Sequence, residues 1–179
     1  MRDIRNMTPE EAADRLDALV ELLRDSVASA ASVGFLDTLT PAENRAYWRD
    51  TIGEMGRGKQ LLLVADDPDG SVAGAVQLSL TLKANGRHRA SVEKLMVHSR
   101  RRGQGIARRL MAAVEDEATR RGVTLLVLDT EVRSLADEFY PKLGYVRVGE
   151  IPDYAASPDG SLHATAIYYK LLPVRAGAR

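Results

Sequence analysis

The stretch from Lys94 to Ala107 reads KLMVHSRRRGQGIA, the pattern of a strand that runs through a basic, glycine-containing turn into a helix. Glycines at 103 and 105 let the backbone approach an anion closely, and the first amides of a helix carry partial positive charge. Three consecutive arginines, Arg100 to Arg102, add full charges beside the turn. Two interpretations fit these residues: a diphosphate-binding loop and a solvated basic turn.

Two better-known phosphate loops fit the sequence poorly. Residues 103–108, GQGIAR, lack the third glycine of a dinucleotide fingerprint and follow what reads as a strand meander. Residues 53–60, GEMGRGKQ, nearly match a Walker A loop, but Gln60 stands where a Ser or Thr would bind magnesium. That loop also lies between a helix and a strand, not between a strand and a helix, so we interpret it as an ordinary helix end.

On both sides of this stretch, capping patterns and hydrophobic periodicity divide the chain into helices and strands. Thr8-Pro9 and Thr40-Pro41, each with a Glu three residues after the Thr, predict two helix starts, the second helix ending near Gly56 and Gly58. Two later helices are predicted over 104–121 and 134–144, and an apolar, ordered loop over 32–37. Strands are predicted over 60–65, 72–82, 90–98, 125–129, 145–151 and 164–171, with a polar loop over 152–160. The apolar run 125–129 is typical of a strand buried on both faces.

Length and charge limit the classes of function. The chain has 179 residues, 45% of them hydrophobic, which predicts one domain over 1–179 with frayed ends at 1–7 and 173–179. Lys and Arg together number 25, as do Asp and Glu, so no global charge draws the chain to nucleic acid or an anionic membrane. The polar N-terminus and the absence of a long apolar run predict a cytoplasmic protein without a membrane span.

Several kinds of chemistry are disfavoured by composition. The chain has no cysteine, which excludes disulfides, thiolate metal sites and a cysteine acyl-enzyme. Its three histidines, at 88, 98 and 163, have no metal-binding spacing, so no metal is predicted. No GxSxG elbow indicates a hydrolase.

Two motifs resemble those of one superfamily. Leu95-Met96-Val97 followed by Arg102-Gly103-Gln104-Gly105-Ile106-Ala107 resembles motif A of the GNAT acetyltransferases, Gln/Arg-x-x-Gly-x-Gly/Ala. Residues 136–145, with Phe139-Tyr140 and Leu143-Gly144-Tyr145, resemble motif B. Because the two motifs occur in order and in the expected strand and helix contexts, the chain is identified as a member of that superfamily.

Further segments resemble the tabtoxin-resistance acetyltransferases within it. They are residues 32–35, 76–80, 94–97, 128–131 and 158–168. Those enzymes acetylate the amino group of a dipeptide-like toxin, so the resemblance implies a primary amine of a small molecule as acceptor, in an amino-acid- or dipeptide-like toxin or antibiotic. Alternatives are a protein or peptide N-acetyltransferase and a non-catalytic CoA-binding regulatory module. The sequence leaves a monomer and a homodimer open.

The resemblance also implies a fold and a cofactor site. The fold is α/β, the GNAT fold, with a mixed and mostly antiparallel central sheet and helices on both faces. Acetyl-CoA enters between two splayed strands. Its pantetheine arm pairs with the main chain of Leu95, Met96 and Val97, and its pyrophosphate binds the amides from Arg102 to Ala107.

The catalytic candidates are Tyr140, Asp129 and Glu93. The resemblance implies that Tyr140 donates a proton to the CoA thiolate. The family often places a base Glu where this chain has Ser91, and Glu93 shares a strand face with that position. Asp129 ends a buried strand beside motif B and is preferred over Glu93 as the base; pairing of Glu93 with Lys94 or Arg89 is the structural alternative. The two irregular loops supply further candidates for acceptor binding: Phe35, Asp37, Tyr154 and His163, with Glu131 on the face of Asp129.

Overall fold

The computed structural model describes residues 4–173 of the chain, and strands and helices alternate along them. Of the ends predicted to fray, 1–7 and 173–179, residues 1–3 and 174–179 lie outside the described residues. The strands are β1 (Ile4–Asn6), β2 (Gln60–Asp66), β3 (Val72–Leu80), β4 (Arg89–Val97), β5 (Leu125–Glu131), β6 (Val146–Ala156) and β7 (Leu162–Leu171). The helices are α1 (Pro9–Asp14), α2 (Leu16–Ala28), α3 (Pro41–Gly56), α4 (Ile106–Arg120) and α5 (Leu135–Phe139).

One sheet of seven strands organises these residues, in the order β1-β2-β3-β4-β5-β7-β6. Every neighbouring pair is antiparallel except β4 and β5, which are parallel. A core that includes Leu110 and Val114 of α4 covers one face, and a core that includes Leu19 of α2 and Trp48 of α3 covers the other. The mixed, mostly antiparallel sheet with helices on both faces is therefore confirmed.

The predicted helix caps are present. Thr8 and Thr40 each accept a hydrogen bond from the backbone of the Glu three residues later, which in turn accepts one from the backbone of the Thr. The first predicted helix is interrupted, however, at Arg15, which leaves the helical conformation (φ −108°, ψ 22°). Its guanidinium contacts the Asp66 carboxylate and the Gly70 carbonyl at the far end of β2, and these partners hold α1 and α2 as separate helices.

Two predictions at the edges of the sheet were wrong. Residues 4–6, predicted to fray, form β1 and pair with residues 63–65 of β2. Residues 152–156, predicted to be loop, extend β6, where Ala155 pairs with His163 after a shift of register. The polar, proline-containing sequence of 152–156 hid this strand because β6 is the outermost strand and is mostly exposed.

The site is created where β4 and β5 separate. The two strands pair only over Arg89–Ser91 and Leu125–Val127. Beyond Ser91, β4 shifts register against β3 between the Glu93 and Met96 pairs, and no described pairing joins it to β5. The prediction that residues 125–129 are buried on both faces was therefore wrong in part: Leu126 and Leu128 are buried, whereas Asp129 is exposed at this opening. None of the described helices has the length and apolarity needed to cross a bilayer.

Candidate active site

A cavity of about 970 Å³ lies at the opening between β4 and β5. It reaches from the turn before α4, along the outer half of β4, to β5, α5 and the end of β6. Residues 31–34 of the α2–α3 loop also line it. The segments that sequence analysis selected separately therefore meet at one cavity.

Eight of the nine residues predicted to bind the cofactor line this cavity: Leu95, Met96, Val97, Arg102, Gly103, Gly105, Ile106 and Ala107. Gln104 lies in the same turn but is not part of the cavity wall. Gly105 is the N-cap of α4 in a left-handed conformation (φ 72°), and no side chain caps the helix there. Because the first amides of a helix have no acceptor within it, this end of the cavity offers hydrogen-bond donors to an anion.

Three carboxylates line the cavity on the other side: Glu93, Asp129 and Glu131. Burial raises the pKa of the Glu93 carboxyl; Lys94 opposes the rise, and the negative charge of Asp129 adds to it. Glu131 is held in place, because it accepts a hydrogen bond from Ser157 Oγ at 2.7 Å. Glu93 forms no ion pair with Lys94 or Arg89 among the pairs of residues 4–173, so the structural alternative for Glu93 is not seen in this part of the chain.

Tyr140 directly follows α5 and lines the same cavity. Its side chain is buried, and its ring packs 5.7 Å from the rings of Phe139 and Tyr145. Burial raises the pKa of the Tyr140 hydroxyl well above its ordinary value, and the charge of Asp129 raises it further. The hydroxyl therefore stays protonated across the working range of enzymes and can donate a proton or a hydrogen bond.

The family model described as the acetyltransferase (GNAT) family matches residues 18–145, the part of the chain that holds both the turn and Tyr140. The chain belongs to the GNAT acetyltransferases. Enzymes of this family transfer an acetyl group from acetyl-CoA to an amine, so the chain is an N-acetyltransferase.

Solved structures agree with this assignment. The ribosomal-protein-alanine N-acetyltransferase of Brucella melitensis is 26% identical, with a TM-score of 0.77, over 95% of this chain and 99% of that one. The Salmonella typhimurium protein yncA, solved with its cofactor acetyl-CoA, is 20% identical, with a TM-score of 0.75, over 100% and 98%. A candidate phosphinothricin N-acetyltransferase is also 20% identical, with a TM-score of 0.73, over 96% and 99%.

Four of the residues predicted to bind the acceptor of this acetyltransferase lie behind the cavity wall or outside it: Phe35, Asp37, Tyr154 and His163. Phe35 packs edge-on against Tyr47, at 4.9 Å between ring centroids. The backbone N–H of Asp37 donates to the Pro158 carbonyl at 2.8 Å. Tyr154 lies on the exposed strand β6, and His163 Nδ1 is 3.6 Å from Glu131 Oε1. Only Glu131 of the predicted acceptor residues is in the wall.

Sequence analysis gave no role to Lys94, which lines the cavity of the acetyltransferase between the carboxylates and the α2–α3 loop. The signal that could have indicated it is weak, because a Glu-Lys pair in a strand ordinarily places its two side chains on opposite faces. Within residues 4–173, no three His, Cys, Asp or Glu side chains are grouped as a metal site would require.

Proposed function

We propose that this acetyltransferase transfers the acetyl group of acetyl-CoA directly to a primary amine of a small molecule. The observation that carries the proposal is the α2–α3 loop, residues 29–40, which crosses the acceptor end of the cavity and is called the roof below. The α2–α3 loop is joined to β4 on one side, where Lys94 Nζ donates to the Val33 carbonyl at 2.8 Å. It is joined to the β6–β7 turn on the other side through Asp37 and Pro158.

This roof limits the shape of the acceptor. Its two attachments lie on opposite sides of the gap between β4 and β5, so the loop bridges the opening. The β6–β7 turn is itself attached to β5 through the bond between Ser157 and Glu131. An extended polypeptide needs an unobstructed groove along which to lie, whereas a cavity that a loop crosses suits a compact ligand.

The turn before α4 has the chemistry that binding of acetyl-CoA requires. Acetyl-CoA carries a diphosphate, and the free amides at the start of α4 together with Arg102 supply the donors and charge that it needs. The main chain of Leu95 to Val97 borders the gap that β5 leaves, and it would pair there with the amide groups of the pantetheine arm.

The chemical step needs a base and an acid. An alkyl ammonium has a pKa of about 10.4, so a carboxylate must take its proton before the nitrogen attacks the thioester carbonyl. The sequence favoured Asp129 for this role; we assign it instead to Glu93, because its raised pKa makes it a stronger base than an ordinary carboxylate, with Asp129 beside it to attract the ammonium. As the C–S bond breaks, Tyr140 donates a proton to the CoA thiolate. No cysteine is available for an acyl-enzyme, which favours direct transfer.

The second candidate acceptor is the N-terminal amine of a protein. It is favoured by the similarity to the Brucella melitensis enzyme, whose name states that it acts on an alanine of a ribosomal protein. An acceptor that is a toxin or antibiotic is the narrower form of the first proposal, and the candidate phosphinothricin N-acetyltransferase among the similar structures supports it.

The test is a comparison of acceptors at fixed acetyl-CoA, with release of CoA thiol as the measured signal. The panel holds small primary amines, free amino acids, dipeptides and a ten-residue peptide that begins with alanine. We expect the small acceptors to have the higher kcat/KM. A peptide that outperforms every small amine would replace the proposal with the second candidate. Binding of acetyl-CoA without turnover of any acceptor would favour the regulatory module.

A further inference from the structure

The bulge in β4 places two oppositely charged side chains in one cavity. Gln77 of β3 pairs with Glu93, and Ala75 pairs with Met96, so two residues of β4 lie opposite one of β3. Lys94, inside this bulge, has a positive φ of 51°. Regular alternation would send Glu93 and Lys94 to opposite faces, whereas bulges redirect side chains and recur beside active sites. Here both residues line the cavity.

The ammonium of Lys94 has fewer partners than it can use. It donates one hydrogen bond, to the Val33 carbonyl, and lies 5.4 Å from the centroid of the Phe35 ring. Among the ion pairs of residues 4–173, none includes Lys94. A lysine ammonium has three donors, and a buried charge is costly unless it is paired. Burial accordingly lowers the pKa of Lys94, against the pull of Glu93 and Asp129.

We propose that Lys94 binds a carboxylate of the acceptor, so that the acceptor is an amino acid or a short peptide-like acid with its amine close to its carboxylate. Glu93 and Asp129 receive the ammonium of such a molecule, and the free donors of Lys94 receive its carboxylate. The two charges of the acceptor then match the two neighbouring positions of the bulge. This assignment rests on the proposed function, because it concerns the same cavity and the same reaction.

The contacts of Lys94 with Val33 and Phe35 orient its ammonium before an anion binds. The Val33 carbonyl and the Phe35 ring hold the long side chain in one position without neutralising it. A carboxylate that enters the roofed pocket therefore meets a charged donor that is already oriented. A preorganised donor of this kind discriminates strongly against a ligand that lacks the matching acceptor.

The experiment compares matched acceptors that differ only in the carboxylate. L-Alanine, L-leucine and L-methionine are each assayed beside the corresponding amino-acid amide, with simple alkylamines as a third class. The α-ammonium group of an amino-acid amide loses its proton more easily than that of the free amino acid. Chemical reactivity alone therefore favours the amide. We expect wild-type kcat/KM to favour the acids by at least about tenfold, the value of one hydrogen bond to a charged group.

Variants then assign the preference to Lys94. Lys94→Met keeps the length of the side chain and removes its charge, and we expect the preference for the acids to be lost or reversed in favour of the amides while the Kd for acetyl-CoA is unchanged. Lys94→Arg should keep a preference for the acids. Lys83→Met, at an exposed lysine in the loop before β4, is the matched control and should behave as wild type.

The possible failures are distinct. Acetylation of alkylamines or amides as fast as acids, or an acid preference that survives in a folded Lys94→Met variant, would overturn this inference and leave the proposed function standing. The comparison of acids with amides and alkylamines in the wild-type protein tests the preference for a carboxylate without any variant. Absence of turnover with every small amine, while acetyl-CoA still binds, would overturn the proposed function, and the inference with it.

Discussion

Asp25, close to the end of α2, accepts two hydrogen bonds from Ser99, one from the backbone N–H at 2.7 Å and one from Oγ at 2.6 Å. Ser99 begins the turn that leads through the arginines to α4, whereas α2 leads into the roof loop. One carboxylate therefore joins the turn proposed to bind the cofactor to the helix that leads into the loop proposed to cover the acceptor. The relationship matters because the amides of that turn must already be aligned when a diphosphate arrives.

Asp25→Asn removes one of these two acceptors and should loosen the turn. We expect the Kd for acetyl-CoA to rise by up to about tenfold and the free energy of unfolding to fall by about 1 kcal/mol at neutral pH. Isothermal titration and urea unfolding measure the two effects. Asp50→Asn, at an exposed aspartate on α3, is the control. An unchanged Kd would mean that the turn is ordered without Asp25.

The pH dependence of that variant follows from the pKa of Asp25. Burial acts to raise this pKa, but the bonds from Ser99 outweigh it, and the net effect lowers the pKa below 3.8. A lowered folded-state pKa gives stability that is present above the unfolded value and is lost as the pH falls through the folded value. The stability difference between wild type and Asp25→Asn should therefore shrink below about pH 4.

Gly105→Trp should abolish binding of acetyl-CoA, because a bulky side chain at the N-cap of α4 would occupy the position of the diphosphate. Any side chain at a positive φ also strains the backbone, and the control must share that cost. Gly122→Trp does so: Gly122 lies just beyond the other end of α4, with φ 77° against 72° for Gly105, and no atom lies within 4 Å of the added Cβ at either glycine. Isothermal titration of both variants with acetyl-CoA tests this explanation. An equal loss of affinity in the two variants would show that backbone strain, and not a blocked diphosphate position, causes the loss.

The sequence predicted the fold well where local physics acts alone. The capping boxes at Thr8 and Thr40 need only residues three positions apart, and the basic turn before α4 combines a strand, glycines and a helix start within fourteen residues. Motif resemblance then supplied the mixed, mostly antiparallel character of the sheet and the helices on both of its faces, but not the order of its strands. By contrast, β1 has only three residues, and its pairing with β2 depends on a partner far along the chain.

The site was predicted less completely, because a bulge has no clear sequence signal. The position of Glu93 follows from alternation, but the presence of Lys94 in the same cavity requires the register shift that the sequence does not reveal. The contact between Asp37 and Pro158 joins residues 121 positions apart through backbone atoms, which no side-chain pattern records. Phe35 and Asp37 were expected to touch the acceptor, whereas neither residue lines the cavity.

Tyr140→Phe should lower kcat by about 100-fold or more and leave the Kd for acetyl-CoA unchanged, because loss of a positioned acid affects the transition state. The raised pKa of Tyr140 adds a second expectation: kcat at saturating amine should not decline on the alkaline side up to about pH 10, since the hydroxyl remains protonated. Steady-state kinetics between pH 6 and 10 measures both. A variant with full activity would limit Tyr140 to packing against Phe139 and Tyr145.

Glu93→Gln and Asp129→Asn test the two proposed roles, the base and the group that attracts the ammonium. We expect Glu93→Gln to lower kcat by about 100-fold and Asp129→Asn mainly to raise the KM of the amine. In wild type, kcat should fall as the pH drops through the raised pKa of Glu93, and this acidic limb should be lost in the Gln variant. A larger loss of kcat in Asp129→Asn would reverse the assignment.

Glu93→Gln should also change the free energy of unfolding. Because the folded-state pKa of Glu93 is raised, its charged form opposes folding at neutral pH, and the protein gains stability below the unfolded pKa near 4.5. Glu93→Gln should thus unfold at a higher urea concentration than wild type at pH 7. The two proteins should converge below about pH 4, where Glu93 is protonated. A variant that is less stable at pH 7 would show that the Glu93 carboxylate has a stabilising partner.

Gly34→Ala tests the roof and the charge of Lys94 together. A Cβ at Gly34 would lie 2.8 Å from Lys94 Nζ, so the ammonium must move away from its position beside the Val33 carbonyl. We expect the KM of the amine to rise by about tenfold, with the Kd for acetyl-CoA unchanged, because the displaced group belongs to the acceptor end. Gly70→Ala is the matched control: its φ of 82° equals the 81° of Gly34 within a degree, and its Cβ would meet no atom within 4 Å. Both variants therefore have the same backbone strain of about 1 kcal/mol, so a KM that rises only in Gly34→Ala reflects the methyl group in the cavity wall, through the displaced Lys94 or through the narrower cavity that Gly34 itself lines.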